Sequence, residues 1–354
     1  MIPSAIQKAM ARIDLSRSEA FAVMNAVIAG EATAAQISAF LVAMRMKGER
    51  VQEIAGFADA MRQHVASVKT RHKHTLAMCS TGSNGGEGFN VSTVAALVVA
   101  GAGVPVAKHG CDSLSSRTGS AQLLQALGIN VHLTAEQMGA CLDETGFAFL
   151  FAPALHPAMK HAGNLCLEIG GCTFFNFLGP VTNPAGVRRH MIGVCDRRLT
   201  TVLAEVLAEF GTEQALLVHS DDGKDEVSLR GRTQTVELML GRISERALTA
   251  EDFGLQRSQN GLTNGALRDH ASLALRLLQG GREPMRNQVV ANAACALTVA
   301  NAVKTLKEGV ALAEETIEAG AALRKLEALR RFTNDFGKVH NSRSTARQPL
   351  EQPA

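Results

Sequence analysis

The chain has 354 residues, of which 46% are hydrophobic and 19% are charged, and its formal net charge is only +3. This balance is typical of a globular protein and does not favour a dedicated nucleic-acid binder, since Tyr and Trp are absent for base stacking. The N-terminus lacks the apolar core of a signal peptide, and no segment approaches the roughly 18 apolar residues of a membrane span. The seven cysteines form no CxxC pair. We therefore expect a cytoplasmic protein with reduced thiols, no membrane partner and no disulfide framework.

The beginning of the chain predicts a small helical domain. Two residue pairs have the spacing of a capping box and precede apolar segments, Ser16 with Glu19 and Thr33 with Gln36. A third helix is predicted over 51–65. We assign residues 1–70 to this domain. Because so small a unit buries only part of its apolar helix faces, we expect a homodimer through residues 1 to 68.

The remainder alternates between short apolar runs and helix-forming segments. Strands are predicted at 75–80, 104–110, 147–153, 191–196 and 214–222, and helices at 92–103, 120–128, 134–146 and 199–211. This alternation predicts an α/β domain with a mostly parallel central sheet. We assign it residues 71–336, with the segment at 160–180 packing on the helical domain, and we expect a polar tail over 337–354.

A glycine-rich loop follows the first predicted strand and reads CSTGSNGGEGFNVST over 79–93. Its glycines permit positive φ and a close approach of the backbone to a ligand. Asn90, Ser92 and Thr93 fall at the start of the next helix, where N–H groups and the helix dipole attract phosphate. An ordinary turn with a Ser or Asn cap is the alternative.

A second segment, at 108–128, combines Lys108 and Arg117 with many hydroxyl groups in a loop that enters a helix. The hydroxyl residues are Ser113, Ser115, Ser116, Thr118 and Ser120. Hydrogen bonds and positive charge in a fixed arrangement suit a pyrophosphate. A plain surface loop is the alternative.

A third loop is acidic and follows the strand predicted at 214–222. Its carboxylates are Asp221, Asp222, Asp225 and Glu226. Carboxylate oxygens bind Mg²⁺, which commonly bridges to substrate phosphates. An acidic turn that is solvated and binds no metal is the alternative. Ligands of α/β sheets bind at the carboxyl ends of strands, so the three loops support one another.

Together with further segments, these loops resemble the anthranilate phosphoribosyltransferase family, whose fold is shared with pyrimidine nucleoside phosphorylases. The similar segments include GEATAAQISAFLVAMRMKGE, FNVST, VAKHG, FLFAPALHPAMKH, FFNFLGPVTNPA, DEVSL and GAALRKLEALRRFT, and the resemblance extends from about residue 10 to 335. It implies a dimerising helical domain beside a larger α/β domain. It also implies transfer of phosphoribose from phosphoribosyl pyrophosphate (PRPP), with Mg²⁺, to anthranilate in tryptophan biosynthesis.

The resemblance also implies site residues. For PRPP these are Ser80, Ser83, Asn84, Gly88, Asn90, Ser92, Thr93, Lys108, Ser116 and Ser120. For Mg²⁺ they are Ser92, Asp225 and Glu226, and for the acceptor they are His109, Cys111 and Cys166. No catalytic acid, base or nucleophile is assigned, because a neutral aromatic amine is already nucleophilic.

The chain departs from the family pattern at three places. The family's G-T-G-G-D becomes Ser80–Asn84, its K-H-G-N-R becomes K-H-G-C-D, and its carboxylate-binding Arg aligns with Cys166. A thiol does not replace a guanidinium as the partner of a carboxylate. The altered acceptor residues, with Asp112 beside Cys111, predict that anthranilate is a poor acceptor and leave another amine or nitrogen heterocycle open.

Two further functions remain alternatives to the transferase. One is a paralogue that has lost catalysis and serves as a dimeric binding protein, with nucleic acid as one conceivable ligand, as the altered Ser80–Asn84 loop would allow. The other is phosphorolysis of a nucleoside, which follows from the fold alone. The intact acidic pair Asp225 and Glu226 favours the enzyme.

Overall fold

A seven-stranded sheet with helices on both faces forms the centre of the protein. The computed structural model describes residues 1–82, 88–110, 119–257 and 267–344. Within those ranges, no helix combines the length and the apolar character needed to cross a membrane.

Four helices form the N-terminal domain, namely α1 (Ile2–Met10), α2 (Arg17–Ile28), α3 (Ala34–Lys47) and α4 (Val51–His64). Both predicted capping boxes are present. The Ser16 hydroxyl accepts a hydrogen bond from the Glu19 N–H, the Glu19 carboxylate accepts one from the Ser16 N–H, and Thr33 and Gln36 repeat the arrangement. The sequence patterns did not predict α1, whose first turn contains Pro3, a position where the missing N–H has no cost.

The strands are β1 (Leu76–Ser80), β2 (Val106–Gly110), β3 (Phe147–Phe151), β4 (Arg189–Gly193), β5 (Gln214–Ser220), β6 (Thr233–Met239) and β7 (Arg242–Leu248). Their order is β3-β2-β1-β4-β5-β6-β7. The first five in this order pair in parallel, and β6 and β7 pair antiparallel. The α/β class with a mostly parallel sheet is therefore confirmed, and the ends of β1, β2, β4 and β5 share one edge.

Two strand predictions need correction. The strand predicted at 191–196 lies at Arg189–Gly193 instead, because Asp196 caps the following helix and accepts a hydrogen bond from the Arg198 N–H. The hairpin of β6 and β7 was missed. Most side chains of β7 are exposed, so that strand has no apolar alternation to reveal it.

The remaining helices are α5 (Val91–Gly101), α6 (Ser120–Ala126), α7 (Ala135–Thr145), α8 (Ala152–Leu155), α9 (Met159–Ile169), α10 (Phe174–Val181), α11 (Arg197–Glu209), α12 (Leu267–Leu278), α13 (Arg286–Val299), α14 (Leu306–Glu318) and α15 (Ala321–Ser344). One core lies between the sheet and α5, α13 and α15, and the second lies between the other sheet face, α11 and the N-terminal helices. Helix α10 joins the second core, where the ring of Phe174 stacks on that of Phe57 with centroids 4.5 Å apart.

The C-terminal segment is more helical than expected. Helix α15 continues to Ser344, past residue 337 where a polar tail was predicted. Its first half, AALRKLEALRRF, consists largely of strong helix formers, and a helix begun there propagates at low cost into the polar residues that follow. Residues 345–354 lie outside the described part of the chain.

Candidate active site

The carboxylate of Asp225 connects the acidic loop to the glycine-rich loop. The Ser80 hydroxyl and the Gly82 N–H both donate to Asp225 Oδ2, the latter at 2.9 Å. Gly82 has φ +88°, which favours glycine. The end of β4 also lies against this loop, because a Cβ on Gly193 would stand 1.7 Å from the Asp225 carbonyl oxygen. The fold thus brings three strand ends together around one carboxylate.

A buried lysine lies beside that carboxylate. Lys108, the central residue of β2, is 1% exposed, and its Nζ donates to the Ser92 hydroxyl at 3.1 Å. Burial lowers the pKa of Lys108 to about 8, an effect that the neighbouring Cys79 and Asp225 oppose. An anion that entered here would restore the charged form of the ammonium group.

Polar side chains extend from Lys108 along the start of α5. The Ser92 hydroxyl donates to Asn90 Oδ1 at 3.3 Å, and the Thr93 N–H donates to the same oxygen at 3.1 Å, so Asn90 caps α5. Asn90 Nδ2 in turn donates to the Ser120 hydroxyl at 3.4 Å. The structure therefore brings together five of the residues predicted to bind PRPP.

Glu226 is a second carboxylate in the acidic loop, with its side chain only 12% exposed. Burial raises its pKa to about 8, and the neighbouring negative charge of Asp225 adds to this, while Lys224 and a hydrogen bond from Gln288 oppose it. A divalent cation would stabilise the ionised form. Asp225, Glu226 and the Ser92 hydroxyl offer the oxygen donors that Mg²⁺ prefers.

The described residues hold no group of three His, Cys, Asp or Glu side chains placed to bind a metal ion. A cation held by Asp225 and Glu226 would therefore take further ligands from phosphate oxygens and water, as Mg²⁺ commonly does. The residues present fit a magnesium ion that arrives with a phosphorylated substrate.

Helix α13 holds the acidic loop in place. The Asn292 side chain accepts a hydrogen bond from the Val227 N–H and donates one to the Val227 carbonyl, both at 3.0 Å. Gln288 Nε2 donates to that carbonyl at 2.7 Å and to Glu226 Oε1 at 3.2 Å. Sequence reasoning missed both residues because they lie about 60 positions from the loop, and a buried amide within the mainly apolar part of α13 was the local signal.

The predicted acceptor residues have different surroundings. His109, buried at the end of β2, lies with its Nε2 2.9 Å from Nε2 of His156, and burial lowers the pKa of both imidazoles, that of His156 to about 4. Cys166, on α9, is 2% exposed in the core shared with the N-terminal helices, and its Sγ lies 3.6 Å from the Thr173 hydroxyl. His109 is therefore a neutral group, and Cys166 occupies an apolar position.

Several predicted residues lie outside the described ranges. They are Ser83 and Asn84 of the glycine-rich loop, and Cys111, Asp112, Ser113, Ser115, Ser116, Arg117 and Thr118 of the second loop. Gly88 lies just before α5, with φ +147°.

Known proteins match this chain over most of its length. Residues 3–65 match the glycosyl transferase family, helical bundle domain, and residues 72–323 match the glycosyl transferase family, a/b domain. The anthranilate phosphoribosyltransferase of Moorella thermoacetica is 48% identical over 330 residues, which are 93% of this chain and 97% of that protein. The chain belongs to the anthranilate phosphoribosyltransferase family.

Solved structures of family members agree with this assignment. The enzyme from Thermus thermophilus is 40% identical, with a TM-score of 0.86 over 93% of this chain and 99% of that one. The enzyme from Saccharomyces cerevisiae in complex with PRPP and Mg is 25% identical, with a TM-score of 0.85 over 94% of this chain and 98% of that one.

Membership of this family confirms the prediction of a phosphoribosyltransferase, an enzyme that transfers a pentosyl group. None of these similarities favours the catalytically retired binding protein, and none of these three relatives is named as a nucleoside phosphorylase.

Proposed function

We propose that this protein transfers the phosphoribosyl group of PRPP, bound with Mg²⁺, to the amino group of anthranilate. The observation that carries the proposal is the meeting of a buried Lys108, a capped helix start and the Asp225 carboxylate at one edge of the sheet. Cationic, hydroxyl and N–H groups there suit phosphates, and the carboxylates suit the metal that accompanies them. The yeast relative, whose structure contains PRPP and Mg, has the same fold.

The phosphate groups would be held by this chain's own residues. Lys108 supplies positive charge, and its burial makes that charge strong toward an anion that displaces water. The hydroxyl groups of Ser92 and Ser120 supply hydrogen bonds, and the start of α5 adds the helix dipole.

Asp225, Glu226 and Ser92 would hold the magnesium ion. When bound, the cation would offset the charge of the departing pyrophosphate. The hydrogen bonds from Ser80 and Gly82 fix the Asp225 carboxylate, and those from Gln288 and Asn292 fix the loop that carries Glu226. Carboxylates held in this way would orient a bound metal complex of PRPP without a reorganisation of the site.

The acceptor amine needs no strong base, because a neutral aromatic amine is already a nucleophile. His109 is neutral in this environment and would contribute hydrogen bonding rather than charge. We propose anthranilate as the acceptor on the basis of the family. That Cys111, Asp112 and Cys166 make it a weakly bound acceptor stays a prediction.

Calorimetric titration with PRPP, with and without Mg²⁺, tests this function. We expect binding that Mg²⁺ strengthens, and loss of the Mg²⁺-dependent part in Asp225→Asn with Glu226→Gln. The matched control is Asp221→Asn, an exposed carboxylate of the same loop, which should bind like the wild type. No PRPP binding by the wild type, or unchanged binding by the double variant, would contradict the proposal.

We further propose that the protein is a homodimer through its N-terminal helices. Seven large hydrophobic side chains of the described residues are exposed, and five of them belong to this domain: Met1, Met10, Ile13, Val42 and Met46. A cytoplasmic location is also proposed. The six described cysteines are free, as a reducing compartment would leave them.

A further inference from the structure

Two cysteines far apart in the sequence lie in contact beside the candidate active site. The Sγ atoms of Cys172 and Cys195 are 2.8 Å apart, and neither residue is in a disulfide. A disulfide bond is about 2.05 Å long, so the sulfurs need to approach by only about 0.8 Å. Cys172 precedes the start of α10, and Cys195 follows the end of β4. Only the fold brings the two together.

The environment distinguishes Cys195 from the other described cysteines. Among the described cysteines its pKa alone is lowered, first because of its hydrogen bond with the Cys172 thiol, with Thr81 and Arg45 assisting and burial and Asp225 opposing. The pKa of Cys172 is correspondingly raised. Burial raises the pKa of three other cysteines to about 12, those of Cys79, Cys141 and Cys295.

Cys172 is the more accessible of the two cysteines, and Cys195 is the more readily ionised. Cys172 is partly exposed, whereas Cys195 is 4% exposed. A thiolate is the form of cysteine that reacts with oxidants, and a second thiol in contact traps the oxidised form before it reacts further. A molecule as small as a peroxide is therefore the suitable reagent.

We propose that Cys172 and Cys195 form a redox modification site that a hydroperoxide converts to an intramolecular disulfide. The Cys195 thiolate attacks one peroxide oxygen, the O–O bond breaks, and the other oxygen leaves as water after it takes a proton. The Cys172 sulfur then displaces hydroxide from the Cys195 sulfenic acid, and its thiol proton completes a second water. Two thiols lose two electrons in total, and one hydrogen peroxide is reduced to two waters.

A disulfide between Cys172 and Cys195 would affect residues that contact Thr81 of the glycine-rich loop. The Cys195 N–H donates to the Thr81 hydroxyl at 2.8 Å, and the Thr81 N–H donates to the Gly193 carbonyl at 2.9 Å. A disulfide would thus tie the segment before α10 to the strand end that supports Thr81. The proposal does not depend on the identity of the substrate.

Peptide mapping of the full-length protein tests the proposal. Reduced protein is treated with stoichiometric hydrogen peroxide, blocked with iodoacetamide, digested with trypsin and analysed by tandem mass spectrometry. We expect residues 161–188 linked to residues 190–197, with fragment ions that place the bond at Cys172 rather than Cys166. The linked species should disappear after treatment with dithiothreitol.

Cys166 offers a matched control, because it lies in the same tryptic peptide and is buried. Cys166→Ser should retain the link, whereas Cys172→Ser should lose it and leave Cys195 singly oxidised. The peptide map of the peroxide-treated wild-type protein tests the proposal even if a variant fails to fold. Alkylation of both thiols after peroxide treatment, a link to Cys166, or a link between two chains on a non-reducing gel would each overturn the proposal.

Discussion

At the scale of single residues, burial and the charges of neighbouring groups determine the chemistry of the candidate site. Burial raises the pKa of Glu226 from 4.5 to about 8 and lowers that of Lys108 from 10.5 to about 8. Both shifts arise because neighbouring groups only partly offset the cost of burying each charge. Such shifts occur where a protein is arranged to receive a charged ligand. Here the expected ligands are a cation at the carboxylates and phosphates at the lysine.

The pKa of Glu226 leads to a prediction for stability without Mg²⁺. Since its folded-state pKa is raised from 4.5 to about 8, the folded protein retains a proton that the unfolded chain has lost. The free energy of unfolding should therefore fall as pH rises from about 4.5 to 8. Glu226→Gln cannot titrate and should lack this contribution. Urea unfolding at pH 5, 6.5 and 8 measures the free energy of unfolding of the wild type and of Glu226→Gln. If the difference between the two proteins did not change with pH, the raised pKa of Glu226 would be contradicted.

At the scale of secondary-structure elements, α13 determines where the acidic loop lies. Asn292 satisfies both backbone groups of Val227, and Gln288 reaches Glu226 from the same helix. A helix packed in the sheet core therefore adds to the hydrogen bonds that the loop makes within itself, such as that from the Ser228 hydroxyl to Asp222. This support explains how two adjacent carboxylates remain ordered in a loop.

We predict that Asn292→Ala weakens PRPP binding in the presence of Mg²⁺, although Asn292 is not among the residues expected to contact the ligand. Loss of the two hydrogen bonds leaves the buried Val227 N–H unpaired, while Gln288 still donates to the Val227 carbonyl, and should lower the free energy of unfolding by about 1–3 kcal/mol. Calorimetry and urea unfolding measure the two effects. Thr298→Ala, on the same helix but bonded within it, is the control. Wild-type PRPP affinity in Asn292→Ala would refute this role for α13.

Local patterns were sufficient to predict elements whose signals lie within a few residues. Examples are the capping box at Ser16 and the apolar run that forms β1. The contacts of the site were not predictable in this way, because Asp225 meets Gly82 across 143 residues. The predicted α/β sheet indicated that these loops lie at one edge, and the resemblance indicated which of their residues act together. The exposed strand β7 and the cysteine pair gave no sequence signal.

At the scale of the whole molecule, the N-terminal domain carries five of the seven large hydrophobic side chains that are exposed in the described part of the chain. Helices α1 and α3 pack on each other, and Met10, Val42 and Met46 nonetheless remain exposed, Met46 at 75%. Val42 and Met46 are four positions apart and therefore share one face of α3. We place the proposed dimer interface on this face of α3.

We predict that wild-type protein is a dimer at micromolar concentration and that Val42→Glu with Met46→Lys yields monomers, because charges placed in an apolar interface lose their hydration. Multi-angle light scattering measures the mass directly. Met239→Glu, at an exposed hydrophobic residue of the β6–β7 hairpin, is the control and should leave the dimer intact. A monomeric wild type, or a dimer that survives the double change, would contradict the proposed interface.

The roles proposed for the PRPP-binding and Mg²⁺-binding residues serve phosphoribosyl transfer to anthranilate, and steady-state kinetics measures that reaction directly. Loss of anthranilate fluorescence is followed at saturating PRPP, with and without Mg²⁺, in the wild type and in Asp225→Asn with Glu226→Gln. We predict consumption of anthranilate that requires both PRPP and Mg²⁺ and that the double variant lacks. No consumption by the wild-type protein at saturating PRPP and Mg²⁺, or equal consumption by the double variant, would contradict the proposed function.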